Sequence, residues 1–289
     1  MSIRITDYGL DAVAAVNSPS SWINYTAVGT GSTAPSQADT ALEAEVARTS
    51  SSGGFSGTKQ VVQDATGNKL RYEATSYRVF NFTSSYNLTE YGHFTGSSGG
   101  NAVFRDLFRQ DPNDPNSQAV TISVQNGDQL QIIRTLVIEV PWEEVTTTQV
   151  LTVPGGSDIS LPGTQTVGIK TSYSGLAELF EYVLWPGATT SRFYLLDPGV
   201  DSSRTTGAGS FIVYGSASED AYVSGSYTRR RRRTFTTAEA NQQIGGWAIS
   251  YSNRYNNYCF KFVIDPNTNF TKSNTHTLEI LFDVSWSRG

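Results

Sequence analysis

The chain has 289 residues, of which 38% are hydrophobic, so it is long enough for one large or two ordinary domains with a packed core. The formal net charge of −5 argues against nucleic acid as a partner of the whole protein, because such binding depends on neutralising phosphates. Cys259 is the single cysteine, which excludes an intrachain disulfide, and its apolar surroundings predict a buried free thiol.

Charged residues make up only 16% of the chain, and threonine, serine, glycine and tyrosine are abundant, which favours strands and turns over long helices. No apolar stretch approaches membrane-spanning length, and the first residues lack the order of charged, apolar and small residues that marks a signal peptide. We therefore expect a β-rich protein that is synthesised in the cytoplasm and has no membrane partner.

The N-terminal stretch predicts a helix, a strand and a second helix. Thr6 can cap a first helix that ends before Pro19, because its hydroxyl can accept a hydrogen bond from the opening turn. Apolar residues then alternate over 23–28, as they do in a half-buried strand. After two glycines the spacing becomes helical again, and Thr40 with Glu43 has the form of a capping box. We expect a short second helix there.

Most of the remaining first half has the pattern of antiparallel sheet. Apolar residues alternate along several segments, and loops rich in glycine, serine, asparagine or proline separate them. Strands are predicted at 72–82, 87–94, 102–108, 119–124 and 130–140. The segments 49–57 and 95–100 are too polar and too rich in glycine to be buried, and we expect surface loops there.

The second half predicts further strands and one helix. Residues 174–184 have a continuous apolar face that Pro186 ends, and we expect this face to pack on a sheet. Strands are predicted at 145–153, 191–196, 209–214, 221–227, 247–251, 258–264 and 277–286. The predicted fold class is β-rich α+β. A small α+β domain with an antiparallel sheet spans 1–142, and a β-sandwich-like domain with one helix spans 143–289.

Two patterns that suggest a bound group fit a plain structural role better. Residues 29–34 match the loose glycine pattern of a dinucleotide-binding turn, but Pro35 breaks the junction to the next helix, and no acidic residue follows at the required distance. His93 and His276 have no partners at zinc-binding spacing. We therefore predict a plain turn at 29–34 and neither a cofactor nor a metal ion.

The acidic residues suggest one enzymatic alternative. Glu143, Glu144, Asp197 and Asp265 include enough carboxylates for the pair that a glycoside hydrolase needs. Adjacent glutamates on a strand point to opposite faces, however, and cannot flank one bond. We therefore predict no catalytic residue and no enzymatic activity.

Aromatic residues are concentrated near the C-terminus. Trp247, Tyr251, Tyr255 and Tyr258 are close in sequence and could stack on a sugar. Aromatic strands more often belong to a core or a subunit interface, and we favour that interpretation.

Five consecutive arginines form the strongest charge cluster of the chain. The candidate partner-binding residues are Arg229, Arg230, Arg231, Arg232 and Arg233. On an extended segment three of them would face one side and two the other, and their repulsion favours a site with carboxylates or phosphates. The alternatives are a solvated loop, contact with an acidic neighbouring subunit, and contact with packaged DNA or host surface phosphate.

The order of several N-terminal residues resembles that of a known family. The first set is Thr6, Gly9, Leu10, Val28-Gly29-Thr30-Gly31, Thr40, Leu42, Glu45 and Arg48, and the second is LTEYGHF at 88–94 followed by Phe104-Arg105. Together they resemble the N-terminal domain of bacteriophage tail-collar and tail-fibre proteins, which fixes a fibre to the tail. The likeness covers roughly residues 3–140. His93 stands where the family has an aliphatic residue, and no shaft-like repeat follows.

The resemblance implies a non-enzymatic structural component of a tailed bacteriophage virion, such as a collar, baseplate or fibre-attachment protein, in the tail rather than the head. Its expected partners are copies of itself and neighbouring tail or neck proteins, engaged through strand edges, loops and the arginines in a closed symmetric ring. The alternative is a capsid decoration protein or a module that binds host surface glycan. An enzyme acting on host polysaccharide is the third hypothesis.

Overall fold

The computed structural model describes residues 5–112, 114, 116–153, 156–170, 176–188, 191–251 and 254–288. Among these residues the helices are short: α1 is Asp7–Ala15, α2 is Pro19–Trp22 and α3 is Ala177–Leu179, with a π-helical turn at Phe180–Leu184. The strands are β1 (Tyr25–Gly29), β2 (Glu45–Thr49), β3 (Thr58–Gln63), β4 (Lys69–Asn81), β5 (Tyr86–Leu88), β6 (Glu90–Phe94), β7 (Ala102–Leu107), β8 (Ile122–Val124), β9 (Gln129–Pro141), β10 (Val145–Leu151), β11 (Ile159–Ile169), β12 (Ser191–Leu196), β13 (Phe211–Ser216), β14 (Ser218–Glu219), β15 (Thr228–Phe235), β16 (Gly246–Tyr251), β17 (Tyr258–Ile264) and β18 (Leu278–Ser285). The predicted β-rich fold is thereby confirmed.

The strands of the described ranges form five antiparallel sheets. The N-terminal sheet has the order β2-β1-β6-β7, the β4 sheet has the order β3-β4-β9, and β5 pairs with β8. The second half contains a six-stranded sheet, β10-β11-β17-β16-β12-β13, and a three-stranded sheet, β14-β15-β18. We call the last one the arginine sheet, because its central strand contains the arginine run.

Alternation of apolar residues located most strands correctly. β12 and β17 coincide with the predicted segments 191–196 and 258–264. In β18 the cause is visible, because Leu278, Ile280 and Phe282 are buried while the residues between them are exposed. A pattern with period two therefore sufficed where one face of a strand packs on the core.

The second N-terminal helix is not formed. Residues 35–44 are irregular, and β2 begins directly after them. Glu43 does not complete a capping box with Thr40; its carboxylate instead accepts hydrogen bonds from the N–H groups of Ser32 and Thr33, each at 2.8 Å. Tertiary contacts thus replace the hydrogen bonds that a helix would have made.

The predicted strand at 221–227 is also wrong, because this segment is a loop that surrounds the carboxylate of Asp11. That carboxylate accepts hydrogen bonds from the Tyr222 hydroxyl at 2.7 Å, from Ser224 Oγ at 2.6 Å and from the N–H of Gly225 at 2.8 Å. A residue of α1 therefore determines the conformation of a segment more than 200 positions away in the sequence.

The sequence does not predict β11, although this strand lies inside the six-stranded sheet. Pro162, Gly163 and Gly168 are unfavourable in a central strand. In the folded chain the glycines make room for neighbours: a Cβ at Gly163 would lie 2.6 Å from Cζ of Phe262, and one at Gly168 would lie 2.9 Å from Cε of Lys261. The contacts of β11 with β17, its neighbour in the sheet, explain these glycines. Strands β2, β3, β14 and β15 are likewise absent from the predicted set.

The predicted helix at 174–184 forms only in part. Residues 174–175 lie outside the described ranges, α3 covers three residues, and the backbone then widens into the π-helical turn. The apolar face packs on a sheet as predicted, since Leu179, Phe180 and Val183 are buried. The ring of Phe180 stacks on Tyr72 of β4, with their centroids 5.5 Å apart.

The main hydrophobic core continues across residue 142, the predicted domain boundary. It combines Leu70 and Tyr72 of β4 and Trp142 with Val167 and Phe180 of the second half. The indole N–H of Trp142 also donates to the carbonyl oxygen of Val167 at 2.9 Å. The division into 1–142 and 143–289 remains a prediction, and the two segments share this core.

Candidate functional site

The arginine run forms most of β15, at the centre of the arginine sheet. Its side chains alternate between two faces: Arg230 and Arg232 are 45% and 40% exposed, whereas Arg229, Arg231 and Arg233 lie on the more buried face. The alternative of a solvated loop is therefore wrong. The run is extended, and its side chains alternate between the faces as expected for that case.

Arg231 is buried and holds carbonyl groups at the end of the π-helical turn. Its guanidinium donates to the carbonyl oxygens of Val183 at 2.5 Å and Trp185 at 2.6 Å, and to Ser191 Oγ at 3.2 Å. Burial lowers the pKa of Arg231 to about 10, although the nearby charge of Glu219 opposes this shift. With 1% of its side chain exposed, Arg231 is a structural residue and not the partner-binding residue that we predicted.

Each arginine of the run pairs with a carboxylate of the same chain. The pairs are Arg229 and Arg231 with Glu219, Arg230 with Asp283, Arg232 with Asp220 and Glu279, and Arg233 with Glu239. The chain itself thus supplies carboxylates of the kind expected on a neighbouring subunit. Arg230 and Arg232 keep the largest exposed fractions, and they remain the candidates for contact with a partner.

Two lysines that were not among the predicted site residues also bind main-chain carbonyl oxygens, as Arg231 does. Nζ of the buried Lys261 donates to the carbonyl oxygens of Asp201 at 2.7 Å and Gly207 at 3.1 Å. Nζ of Lys272, also buried, donates to the carbonyl oxygen of Glu239 at 2.8 Å. Burial lowers the pKa of both ammonium groups. The position of Lys261 inside the apolar run YCFKFVI was the available signal in the sequence.

The predicted free thiol of Cys259 lies in β17, the strand that also contains Lys261. Cys259 is buried, as expected. Burial raises the pKa of its thiol to about 12, which keeps the group protonated at neutral pH. Its role is that of a small core residue.

Glu90 is fully buried and binds four groups of the N-terminal region. Its Oε1 accepts hydrogen bonds from the N–H groups of Gly31 at 3.0 Å and Ala44 at 2.8 Å. Its Oε2 accepts from the N–H of Glu43 at 3.1 Å and from Nε of Arg105 at 2.8 Å. We call this arrangement the Glu90 clamp. It fastens the loop between β1 and β2 to strands β6 and β7.

Arg105 is the second charged member of the Glu90 clamp. Its guanidinium donates to Oδ2 of Asp39 at 2.8 Å and to the carbonyl oxygen of Thr33 at 3.1 Å. Burial lowers the pKa of Arg105, but the hydrogen bonds and charges of Asp39 and Glu90 outweigh burial and raise it above its usual value. The loop is therefore held by one buried carboxylate and one buried guanidinium.

The glycine turn at 29–31 is shaped by the same carboxylate. A Cβ at Gly31 would lie 2.5 Å from Oε1 of Glu90, so the close approach requires glycine. The hydroxyl of Thr89 donates to the carbonyl oxygen of Gly31 at 2.6 Å. The N–H of Gly31, a group of the kind that binds phosphate in nucleotide sites, donates to Glu90. A contact within the chain thus explains these glycines.

Other residues on which the family resemblance rests belong to the same region. Thr6 Oγ1 accepts a hydrogen bond from the N–H of Gly9 at 2.9 Å and caps α1 as predicted. The guanidinium of Arg48 lies 3.6 Å from the ring centroid of Phe94, and Leu42 packs in the same small core cluster as Phe94. The two separate sequence sets therefore meet around the N-terminal sheet.

His93 lies in a buried polar layer between the N-terminal sheet and the β4 sheet. Its Nδ1 is 3.0 Å from Oγ1 of Thr26 and 3.1 Å from Nη1 of Arg134. Because Arg134 can donate only to an unprotonated nitrogen, the ring is neutral with its proton on Nε2. Burial lowers the pKa of His93 well below its usual 6.5, and the charges of Arg134 and Arg78 lower it further.

We expect the free energy of unfolding to decrease as the pH falls below about 6.5, with His93 contributing up to about 1.4 kcal/mol per pH unit. The unfolded chain protonates His93 near its usual pKa, whereas the folded chain keeps the residue neutral to a much lower pH. The contribution of His93 to stability is therefore complete above its pKa in the unfolded chain. It is lost as the pH falls toward its pKa in the folded chain. Urea unfolding between about pH 5 and pH 7.5 measures this slope.

A histidine outside the buried layer is the control for this prediction. The slope should decrease in His93→Gln and should persist in His276→Gln, because His276 is exposed. Equal slopes in the wild type and His93→Gln would show that His93 is not responsible.

Two of the four acidic candidates accept hydrogen bonds from main-chain N–H groups of the chain. Glu144 accepts a hydrogen bond from the N–H of Arg204 at 2.8 Å, and Asp265 accepts one from the N–H of Asn267 at 2.8 Å. In the ranges that the structure describes, no group of three or more histidine, cysteine, aspartate or glutamate residues is placed to hold a metal ion. These contacts give no support to a catalytic carboxylate pair.

Three of the four aromatic candidates pack in or against the main core, and the fourth packs against a separate cluster. Tyr251 stacks on a tyrosine of the π-helical turn with centroids 4.3 Å apart, and Trp247 packs against Phe262 at 4.7 Å. Tyr258 is buried in the main core, and Tyr255 packs against a separate cluster. These contacts agree with a core role and not with a continuous sugar-binding surface.

No protein-family model, no curated protein and no solved structure matches the chain. None of the helices in the described ranges is both long and apolar enough to cross a membrane. The likeness to tail-collar and tail-fibre proteins remains a prediction that rests on the residues described above.

Proposed function

We propose that the protein is a non-enzymatic structural component of a tailed bacteriophage virion. It would belong to the tail, as a collar, baseplate or fibre-attachment component, and would assemble with copies of itself and with adjacent tail proteins. The Glu90 clamp is the observation that supports this proposal best. It joins the Gly29–Gly31 turn of the first sequence set to Glu90 and Arg105 of the second.

The use of charge in the second half also supports a framework role. Arg231, Lys261 and Lys272 are buried, and each binds main-chain carbonyl oxygens of irregular segments. Such contacts fix the shape of loops in a protein with one cysteine, which has no intrachain disulfide available for that purpose. A protein whose surface must fit its neighbours needs loops with a defined shape.

A module that binds host glycan is the second candidate, and one feature favours it. An open depression of about 460 Å³ is lined by Lys170, Asp201, Thr205 and Asn256 together with Val200. Its exposed lining is mostly apolar with a few hydrogen-bonding groups, a composition common to small-molecule sites. Under this alternative, the depression is the surface where we would expect a glycan to bind.

The test is the location of the protein in particles of the phage that encodes it. We expect quantitative mass spectrometry of gradient-purified virions to find the same copy number of the chain in every particle. Gold-labelled antibody against the chain should mark the tail. Label on the head would favour a decoration protein, and label at a distal fibre tip would favour the receptor-binding alternative. Absence from purified virions would overturn the proposal.

The enzymatic alternative has its own assay. Incubation with host surface polysaccharide should release no reducing ends above the level of a boiled control. Release that Glu144→Gln or Asp265→Asn abolishes would contradict the non-enzymatic proposal.

A further inference from the structure

Strand β10, Val145–Leu151, forms one edge of the six-stranded sheet. It pairs with β11 over seven consecutive residues without a break in register. In the described part of the chain no strand pairs with its other edge. A row of main-chain N–H and C=O groups is therefore open to another strand.

The strand carries none of the usual features that prevent edge pairing. Its sequence, VTTTQVL, contains no charge and no proline, and five of its residues are β-branched. Val145 and Val150 are 45% and 57% exposed. This combination is typical of an edge that another strand covers.

The opposite edge of the same sheet is different. The pairing of β12 with β13 shifts register between Leu195 and Leu196. The guanidinium of Arg233 lies against Gly215 of β13. A break in register and an adjacent charge both hinder the addition of a strand. Pairing is thus favoured at β10 alone among the two edges of this sheet.

The geometry points to a second copy of this chain as the partner, with the two β10 strands antiparallel about a twofold axis near Thr148. Val145 would then lie opposite Leu151, Thr146 opposite Val150, and Thr147 opposite Gln149. The inference deepens the proposed function, on which it rests for its biological role, by naming the surface and the partner of self-assembly.

Charge selects the antiparallel arrangement of identical strands. Glu143 and Glu144 precede β10, and no acidic residue occurs among 145–153. In an antiparallel pair centred on Thr148, Glu144 lies opposite Thr152 and Glu143 opposite Val153. A parallel pair would place each glutamate near its own copy, where like charges repel. Because each chain has one β10, the twofold contact is closed and does not propagate.

Thr148 is the position that tests the pairing most directly. Its side chain is exposed, so Thr148→Lys should leave the fold of the single chain intact while placing two lysines opposite each other at the axis. We expect sedimentation equilibrium to show a wild-type dimer and a dissociation constant that is roughly tenfold or more higher for Thr148→Lys. Thr148→Glu should have the same effect, and an equimolar mixture of the two variants should restore the dimer. Val223→Lys, an equal charge change at an exposed loop position, is the control and should dimerise like the wild type.

Cross-linking gives a second readout. Because Cys259 is buried, Thr148→Cys would carry one accessible thiol per chain and should form a disulfide-linked dimer under mild oxidation, whereas Val223→Cys should not. A monomeric wild type, or a dimer that Thr148→Lys does not weaken, would overturn the inference. These results are independent of virion location, so a dimer that is absent from particles would refute only the proposed function.

Discussion

Replacing Glu90 with alanine is expected to lower the free energy of unfolding by about 3–5 kcal/mol, because the variant removes a fully buried carboxylate that accepts four hydrogen bonds. The N–H groups of Gly31, Glu43 and Ala44 would lose their partner. Arg105 would keep its ion pair with Asp39 but lose its ion pair with the buried carboxylate of Glu90. Guanidinium unfolding followed by circular dichroism measures the change.

A glutamate of the same region provides the matched control. Glu45 also pairs with an arginine, Arg48, at 2.6 Å, but a third of its side chain is exposed. Glu45→Ala is therefore expected to cost below about 1 kcal/mol. Glu90→Gln keeps one acceptor oxygen and should fall between the two variants. Equal stabilities of Glu90→Ala and Glu45→Ala would contradict the role assigned to the Glu90 clamp.

Replacing Arg231 with methionine is expected to cost about 2–4 kcal/mol, because methionine fills part of the volume but donates no hydrogen bond. The carbonyl oxygens of Val183 and Trp185 would be left without their donor. Thermal unfolding monitored by tryptophan fluorescence suits this test, because Trp185 is buried beside Trp22, with ring centroids 5.9 Å apart. We expect a lower melting temperature and a changed emission in the folded variant.

The neighbouring arginine separates this role from the effect of charge. Arg230 lies on the same strand and binds Asp283 through two hydrogen bonds of 2.8 and 2.7 Å, but 45% of its side chain is exposed. Arg230→Met changes the net charge equally and should alter the melting temperature only slightly. If both variants lost the same stability, burial of Arg231 would not be the cause.

Sequence alone determined the local parts of the fold. The cap of α1 by Thr6, the strands β12 and β17 and the burial of Cys259 were all predictable. Each depends on a side chain and its nearest neighbours along the chain, or on the alternation of side chains between the faces of one strand. Such relations are present in the sequence before the chain folds.

The partners of charged and irregular segments were decided by tertiary structure. Residues 38–48 had a helical pattern, but 45–48 belong to β2, and the carboxylate of Glu90, more than 40 positions away, binds the backbone of Glu43 and Ala44. The arginine run suggested a site for another molecule, yet Glu219, Asp283 and other carboxylates of the same chain pair with it. Strand β11 was not predicted because it contains glycines. These glycines make room for the ring of Phe262 and the side chain of Lys261. An ion pair or a close approach depends on which groups folding brings together, and one strand read alone contains no information about its neighbours.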